Sequence, residues 1–153
     1  MRGRGDVVES LPAPALHLLL ICPQSGVSSG ACYQEYDRLG KTQEPRTARA
    51  LELMGTPEWA ARLYGNDLTE AAVSLNPDVG AALSEARSFS PLGAGMTGSG
   101  SAAFAVFETA ELCEWAKSRY RGKFRTYVVH SVDPEKEKSK KMRSPFVLDE
   151  GND

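Results

Sequence analysis

The segment from Leu92 to Phe107 constrains the fold more than any other part of the chain. Gly95-Met96-Thr97-Gly98-Ser99-Gly100 lies between two short runs that read as strands, Leu92 to Thr97 and Ala102 to Phe107. Glycine reaches positive φ without a Cβ penalty, so glycines clustered between two strands predict a hairpin turn. Phe104 and Val106 alternate with Ala105 and Phe107, and apolar residues on both faces predict a strand covered on both sides. Gly93-x-Gly95-x-x-Gly98 also satisfies the dinucleotide-binding spacing. That motif needs a helix after the glycines, to turn its N-terminus toward the pyrophosphate, and here a strand follows. No Gly-Lys-Ser/Thr occurs, which excludes a Walker A loop. Two readings of the hairpin stay open. One is a plain turn; the other is an anion-binding loop, in which backbone N–H groups join the hydroxyls of Thr97, Ser99 and Ser101.

The other elements follow from periodicity and caps. Leu16 to Cys22 is a nearly continuous apolar run ended by Pro23 and reads as a central strand. A helix should start near Ser28 or Ser29, run through Tyr33 and Tyr36 to Leu39, and stop at Gly40. Residues 41–65 read as mostly helical, with a break at Gly55 to Pro57 and a short helix from Glu58 to Tyr64. Asp67, with Glu70 three residues on, predicts a capping box, and Asn76-Pro77 predicts a second start. Val79, Leu83 and Ala86 then share a face. Thr109 caps the next helix, Leu112, Ala116 and Tyr120 form its apolar face, and Gly122 stops it. Strands are thus expected at 16–22, 92–97, 102–107 and 124–132. This order predicts an α+β fold: a ferredoxin-like βαββαβ antiparallel sheet with extra helices in the first crossover. One domain should span 1–132, with 133–153 a charged, disordered tail.

Composition narrows the function. A net charge of −2 argues against a nucleic-acid partner. No apolar run approaches the roughly 18 residues of a membrane span, so no membrane partner is expected. Arg2, Arg4 and the run from Leu16 to Cys22 are a poor leader: Asp6, Glu9, Pro12 and Pro14 intervene, and no small-x-small site follows. Cys22, Cys32 and Cys113 show no CxxC spacing, and His17 and His130 lie far apart. Reduced thiols in a cytoplasmic protein without a structural metal are expected. Cys22 and His130 sit in apolar strand-like runs, which points to packing.

Several segments, in order and spacing, resemble the C-terminal domain of the GHMP kinases. They are Gly3-Arg4-Gly5-Asp6, the strand from Leu18 to Pro23, and Gly26-Val27-Ser28-Ser29 with Tyr33 beyond it. Asn66-Asp67-Leu68, Pro77, and Gly95 to Gly100 with Phe104-Ala105-Val106-Phe107 complete the set, which covers residues 2 to about 132. Within that family the agreement is with the branch that acts on 4-diphosphocytidyl-2-C-methyl-D-erythritol (CDP-methylerythritol). The resemblance implies a substrate-side domain of an ATP-dependent kinase that phosphorylates a hydroxyl of this compound, in isoprenoid precursor (methylerythritol phosphate) biosynthesis.

It also implies site residues. Ser29 stands where the family usually has a threonine near substrate, and Tyr33 where an aromatic ring packs on the cytosine. Gly98, Ser99 and Gly100 match the loop that faces the phosphate-transfer cleft. For Tyr33 a core role, with the ring packed on the sheet, competes. ATP and Mg²⁺ are implied for the complete enzyme. No catalytic residue is expected in this chain, because the family's serine-rich ATP loop and its lysine and aspartate belong to an N-terminal half that nothing here resembles. The chain alone should be inactive. The alternatives are a non-catalytic ferredoxin-like module that binds a small molecule, a kinase half acting on another alcohol, and a fragment with no role of its own.

Overall fold

The structure is a computed structural model and describes residues 16–40 and 65–131. Its elements are β1 (His17–Cys22), α1 (Ser29–Leu39), α2 (Thr69–Leu75), α3 (Pro77–Ser88), β2 (Gly93–Met96), β3 (Ala103–Phe107), α4 (Ala110–Arg119) and β4 (Arg125–His130). All four expected strands are present, each trimmed by one or two residues at its ends. The expected helices within 41–64, the Gly3 to Asp6 segment and the tail at 133–153 lie outside the described residues.

The strands form one sheet in the order β2-β3-β1-β4, and every neighbouring pair is antiparallel. Leu19 stands opposite Ala105 on one side and Val128 on the other, while Met96 stands opposite Ala103. β3 returns between β1 and β2, and α1, α2 and α3 all lie in the first crossover, which is the expected ferredoxin-like arrangement. Successive side chains alternate faces, so Leu19, Ile21, Ala103, Ala105 and Phe107 point one way. They pack with Cys32 of α1, Ala71 and Ala72 of α2, Val79, Leu83 and Ala86 of α3, and Cys113 and Ala116 of α4. Alanines at these helix positions let backbones approach the sheet closely. Val106, on the other face, is only 1% exposed, so both faces of β3 are shielded, as its composition suggests.

Local signals place the helix ends. Gly40 adopts φ 63°, and its N–H donates to the Asp37 carbonyl at 3.1 Å. The Asn76 side chain accepts from the Asp78 N–H, with Pro77 at the first helical position. Thr109 Oγ1 accepts from the Leu112 N–H at 3.3 Å.

Three expectations need correction. The N-cap is Leu68 rather than Asp67: α2 begins at Thr69, and Asn66 Oδ1 accepts from the Leu68 N–H at 3.0 Å, one residue earlier than the capping-box spacing requires. Leu112 is 46% exposed; Cys113 takes its place beside the expected Ala116 on the buried face. His130 is exposed rather than packed; its Nδ1 lies 2.9 Å from His17 Nδ1 across the β1–β4 pair, so one ring donates and the other accepts.

Candidate substrate and phosphate site

The hairpin between β2 and β3 is built by its own backbone. Beyond the last strand pair, the Thr97 N–H donates to the Ala102 carbonyl at 3.0 Å, and the Gly100 N–H to the Thr97 carbonyl at 2.9 Å. Gly98 has φ 53° and Gly100 φ 95°, both in the range that excludes most side chains. The two glycines differ in surroundings. A Cβ at Gly100 would stand 3.1 Å from Met96 Sδ and 3.6 Å from Ala72 Cβ, whereas one at Gly98 would meet nothing within 4 Å. Gly100 therefore sits tight against the body of the domain, and Gly98 presents open backbone.

The start of α1 lies against this hairpin. Ser28 is extended, with φ −65° and ψ 127°, and makes no side-chain cap. The Cys32 N–H is the first to bond back into the helix, to the Ser28 carbonyl at 2.9 Å. The N–H groups of Ser29, Gly30 and Ala31 precede it and have no intrahelical acceptor. No acidic residue occupies the first turn, so the positive end of the helix dipole is uncompensated locally. Ser29 Oγ and Ser99 Oγ are 2.8 Å apart. Two segments separated by 70 positions thus meet through their hydroxyls, and Ser29, Gly98, Ser99 and Gly100 form one surface.

Tyr33 is one helical turn beyond Ser29 and is 58% exposed, which overturns its reading as a core residue. Cys32 is buried, Tyr36 and Leu39 pack beside it, and that face leaves Tyr33 about a quarter-turn outside the core. Glu35 fixes the helix that carries the ring. It accepts from Arg38 through Nε and a terminal guanidinium nitrogen, both at 2.7 Å, and from Ser74 Oγ of α2 at 2.8 Å. Those hydrogen bonds, Arg38 first, hold its carboxyl down to about 2.

Sequence reasoning missed Asn66. Its Nδ2 donates to the Met96 carbonyl at 3.0 Å and to the Gly98 carbonyl at 2.7 Å, tying the start of α2 to the glycine hairpin. Asn66 stood out in the sequence as part of a helix start; nothing local signals a contact across 30 residues of chain.

Other chemistry is poorly supported. The three cysteines are free, and burial raises the thiol pKa of Cys32 and takes that of Cys113 up to about 11, away from nucleophilic thiolates. Among the described residues no group of three or more His, Cys, Asp or Glu could hold a metal ion. No described helix is long and apolar enough to cross a membrane.

Comparison with known proteins places the chain in a family. Residues 47–121 match the family described as GHMP kinases C terminal. A protein of Desulfitobacterium hafniense (strain Y51) named 4-diphosphocytidyl-2-C-methyl-D-erythritol kinase is 32% identical over 136 residues, covering 86% of this chain and 47% of that protein. Proteins of the same name from Mesorhizobium japonicum and Paracoccus denitrificans are 30% and 33% identical; each covers 80% of this chain, and 41% and 45% of their own lengths are matched. A crystal structure of 4-(cytidine 5'-diphospho)-2C-methyl-D-erythritol kinase shares the fold, with a TM-score of 0.68 at 23% identity, over 85% of this chain and 48% of that one. The chain spans about half the length of the curated relatives it matches. It belongs to the GHMP kinase family and carries the family's C-terminal domain.

Proposed function

We propose that this chain forms the substrate-side wall of a kinase cleft that takes CDP-methylerythritol, with ATP as phosphoryl donor, in isoprenoid precursor synthesis. The carrying observation is the 2.8 Å contact between Ser29 and Ser99, which sets a helix N-terminus and an open glycine hairpin edge to edge. Free N–H groups and hydroxyls at such a junction suit the oxygens of a diphosphate. Tyr33, exposed one turn away, would stack on the cytosine; base–aromatic stacking is worth roughly 1–3 kcal/mol in single-strand binders. Gly98, with open space above its backbone, leaves room for the transferred group.

Phosphoryl transfer rests on positioned charge around the phosphates and the attacking oxygen. This chain's share is to bind and orient: Tyr33 the base, Ser29 and Ser99 the phosphates. The ATP loop and the catalytic lysine and aspartate belong to the family's other half, which has no counterpart within these 153 residues. Mg²⁺, implied together with ATP, is usually held by substrate phosphates and one or two carboxylates. Free thiols favour a cytoplasmic setting.

The test is reconstitution. The chain alone should not phosphorylate CDP-methylerythritol; joined to the N-terminal half of the Desulfitobacterium relative, it should. In the joined protein Tyr33→Ala should weaken cytidine nucleotide binding by about tenfold, the loss of one stacked base, and leave thermal stability nearly unchanged. A folded joined protein without turnover, or unchanged cytidine affinity after Tyr33→Ala, would sink the assignment.

A further inference from the structure

The Asn66 side chain grips the glycine hairpin at two backbone carbonyls. It uses its whole amide: both Nδ2 hydrogens go to the Met96 and Gly98 carbonyls, and Oδ1 accepts from the Leu68 N–H. The reversed amide would set an acceptor against two carbonyls and a donor against an N–H, so its orientation is determined.

The consequence lies in the next peptide. The Gly98–Ser99 bond is trans, so its planar unit points C=O and N–H in opposite directions. Holding the Gly98 carbonyl at 2.7 Å therefore aims the Ser99 N–H away from Asn66. The Thr97 N–H, set in the same way by the grip on Met96, is consumed by the Ala102 carbonyl. The Ser99 N–H has no acceptor among the described residues. A glycine at φ 53° with open space around it has many alternatives, so without a clamp this peptide could rotate.

We propose that Asn66 is a positioning residue for the phosphate-facing hairpin, locking the Gly98–Ser99 peptide so that the Ser99 N–H stands ready as a donor to diphosphate oxygens. The inference rests on the function proposed above and adds a residue that touches no substrate. A role in starting α2 alone would account for the Oδ1 bond to Leu68 and leave both Nδ2 bonds unexplained.

Asn66→Asp separates the two roles. Aspartate keeps an acceptor for the Leu68 N–H but brings its carboxylate against two carbonyls. With the full chain labelled with ¹⁵N, the Ser99 amide signal is followed during titration with inorganic pyrophosphate, and amide exchange in α2 is measured alongside. The wild-type Ser99 signal should move with pyrophosphate. Asn66→Asp should keep α2 protected and displace the Ser99 signal before any ligand is added. It should also weaken the response by about tenfold, the loss of two hydrogen bonds' worth of ordering. If Asn66→Asp does not fold, Asn66→Ser, whose shorter side chain has a single donor for the two carbonyls, should show the same displacement. A Ser99 signal untouched by the substitution overturns the positioning role and leaves the functional reading standing. A wild-type signal indifferent to pyrophosphate overturns the ligand-facing role together with that reading, even if Asn66→Asp moves the loop.

Discussion

Two connections in this domain turn on glycine, for opposite reasons. In the β2–β3 hairpin, Gly98 and Gly100 are required by positive φ, and space over Gly98 is empty. In the α4–β4 corner, Gly122 is required by crowding: a Cβ there would collide with the Tyr120 ring end and the Glu85 carboxylate. Those two groups are themselves bonded, Tyr120 Oη donating to Glu85 Oε2 at 2.5 Å and accepting from the Phe124 N–H at 3.1 Å. One connection spends its glycines on an open backbone surface; the other fills the space with side chains that lock α3, α4 and the start of β4 together. The contrast separates a loop with open backbone from a loop closed by its own side chains.

Substitutions to alanine should expose the difference in graded steps. Gly100→Ala combines a strained φ of 95° with a 3.1 Å approach to the buried Met96 sulfur. Strain and overpacking together should cost about 3 kcal/mol in urea denaturation. A loss below about 1 kcal/mol would mean that the loop relaxes freely and is not seated on the body. Gly122→Ala should cost about 2 kcal/mol, the worth of the two displaced Tyr120 hydrogen bonds, because both colliding groups are side-chain ends that can swing away. Pairing it with Tyr120→Phe in a double-mutant cycle checks the cause: the two losses should be far from additive. Gly98→Ala meets no atom and should cost only about 1 kcal/mol of backbone strain. If the hairpin faces a ligand, this mildest change to stability should still blunt the response to pyrophosphate, where Gly122→Ala should not.

The same contrast marks what the sequence could tell. The hairpin was legible because its signals are local: glycines flanked by alternating apolar residues specify turn, strands and pairing together. Gly40, Asn76-Pro77 and Thr109 were legible for the same reason, since each cap acts within a few residues. The α4–β4 corner was not. Gly122 reads as a helix stop, and its partner Glu85 lies 35 positions before Tyr120, on a different helix. Leu112 was misplaced although the helix start was right: Leu112 and Cys113 lie four and three residues before Ala116, both within reach of its face, and only packing on the sheet buries the Cys113 side. At the site, resemblance pointed to Ser29 and to Gly98, Ser99 and Gly100, and the fold brought them together. Asn66 escaped, since an asparagine before a helix has a sufficient local explanation and its second role appears only once the sheet is assembled.

The smallest expected effect concerns the closed corner, and it titrates. Tyr120 has its pKa pushed up to about 12, first by desolvation and then by donating to Glu85, with the Phe124 N–H opposing. The folded state therefore keeps this proton at pH values where an unfolded tyrosine, ionising near 10, gives it up. A group whose pKa is raised by folding contributes stability that is whole below its unfolded pKa and lost as pH rises toward its folded value. The window is thus about pH 10 to 12. Burial also raises Cys22, Cys32 and Cys113, the last to about 11, so the wild-type melting curve alone is ambiguous. The difference between wild type and Tyr120→Phe is not, because the cysteines are common to both. Below pH 10 the two melting temperatures should differ by a constant amount, reflecting the lost hydrogen bonds. Above it the gap should narrow as wild type gives up the advantage of a neutral hydroxyl. A gap that stays flat from pH 9 to 12 would show that Tyr120 ionises alike in folded and unfolded chains, and that the corner is more open to water than its packing around Gly122 implies.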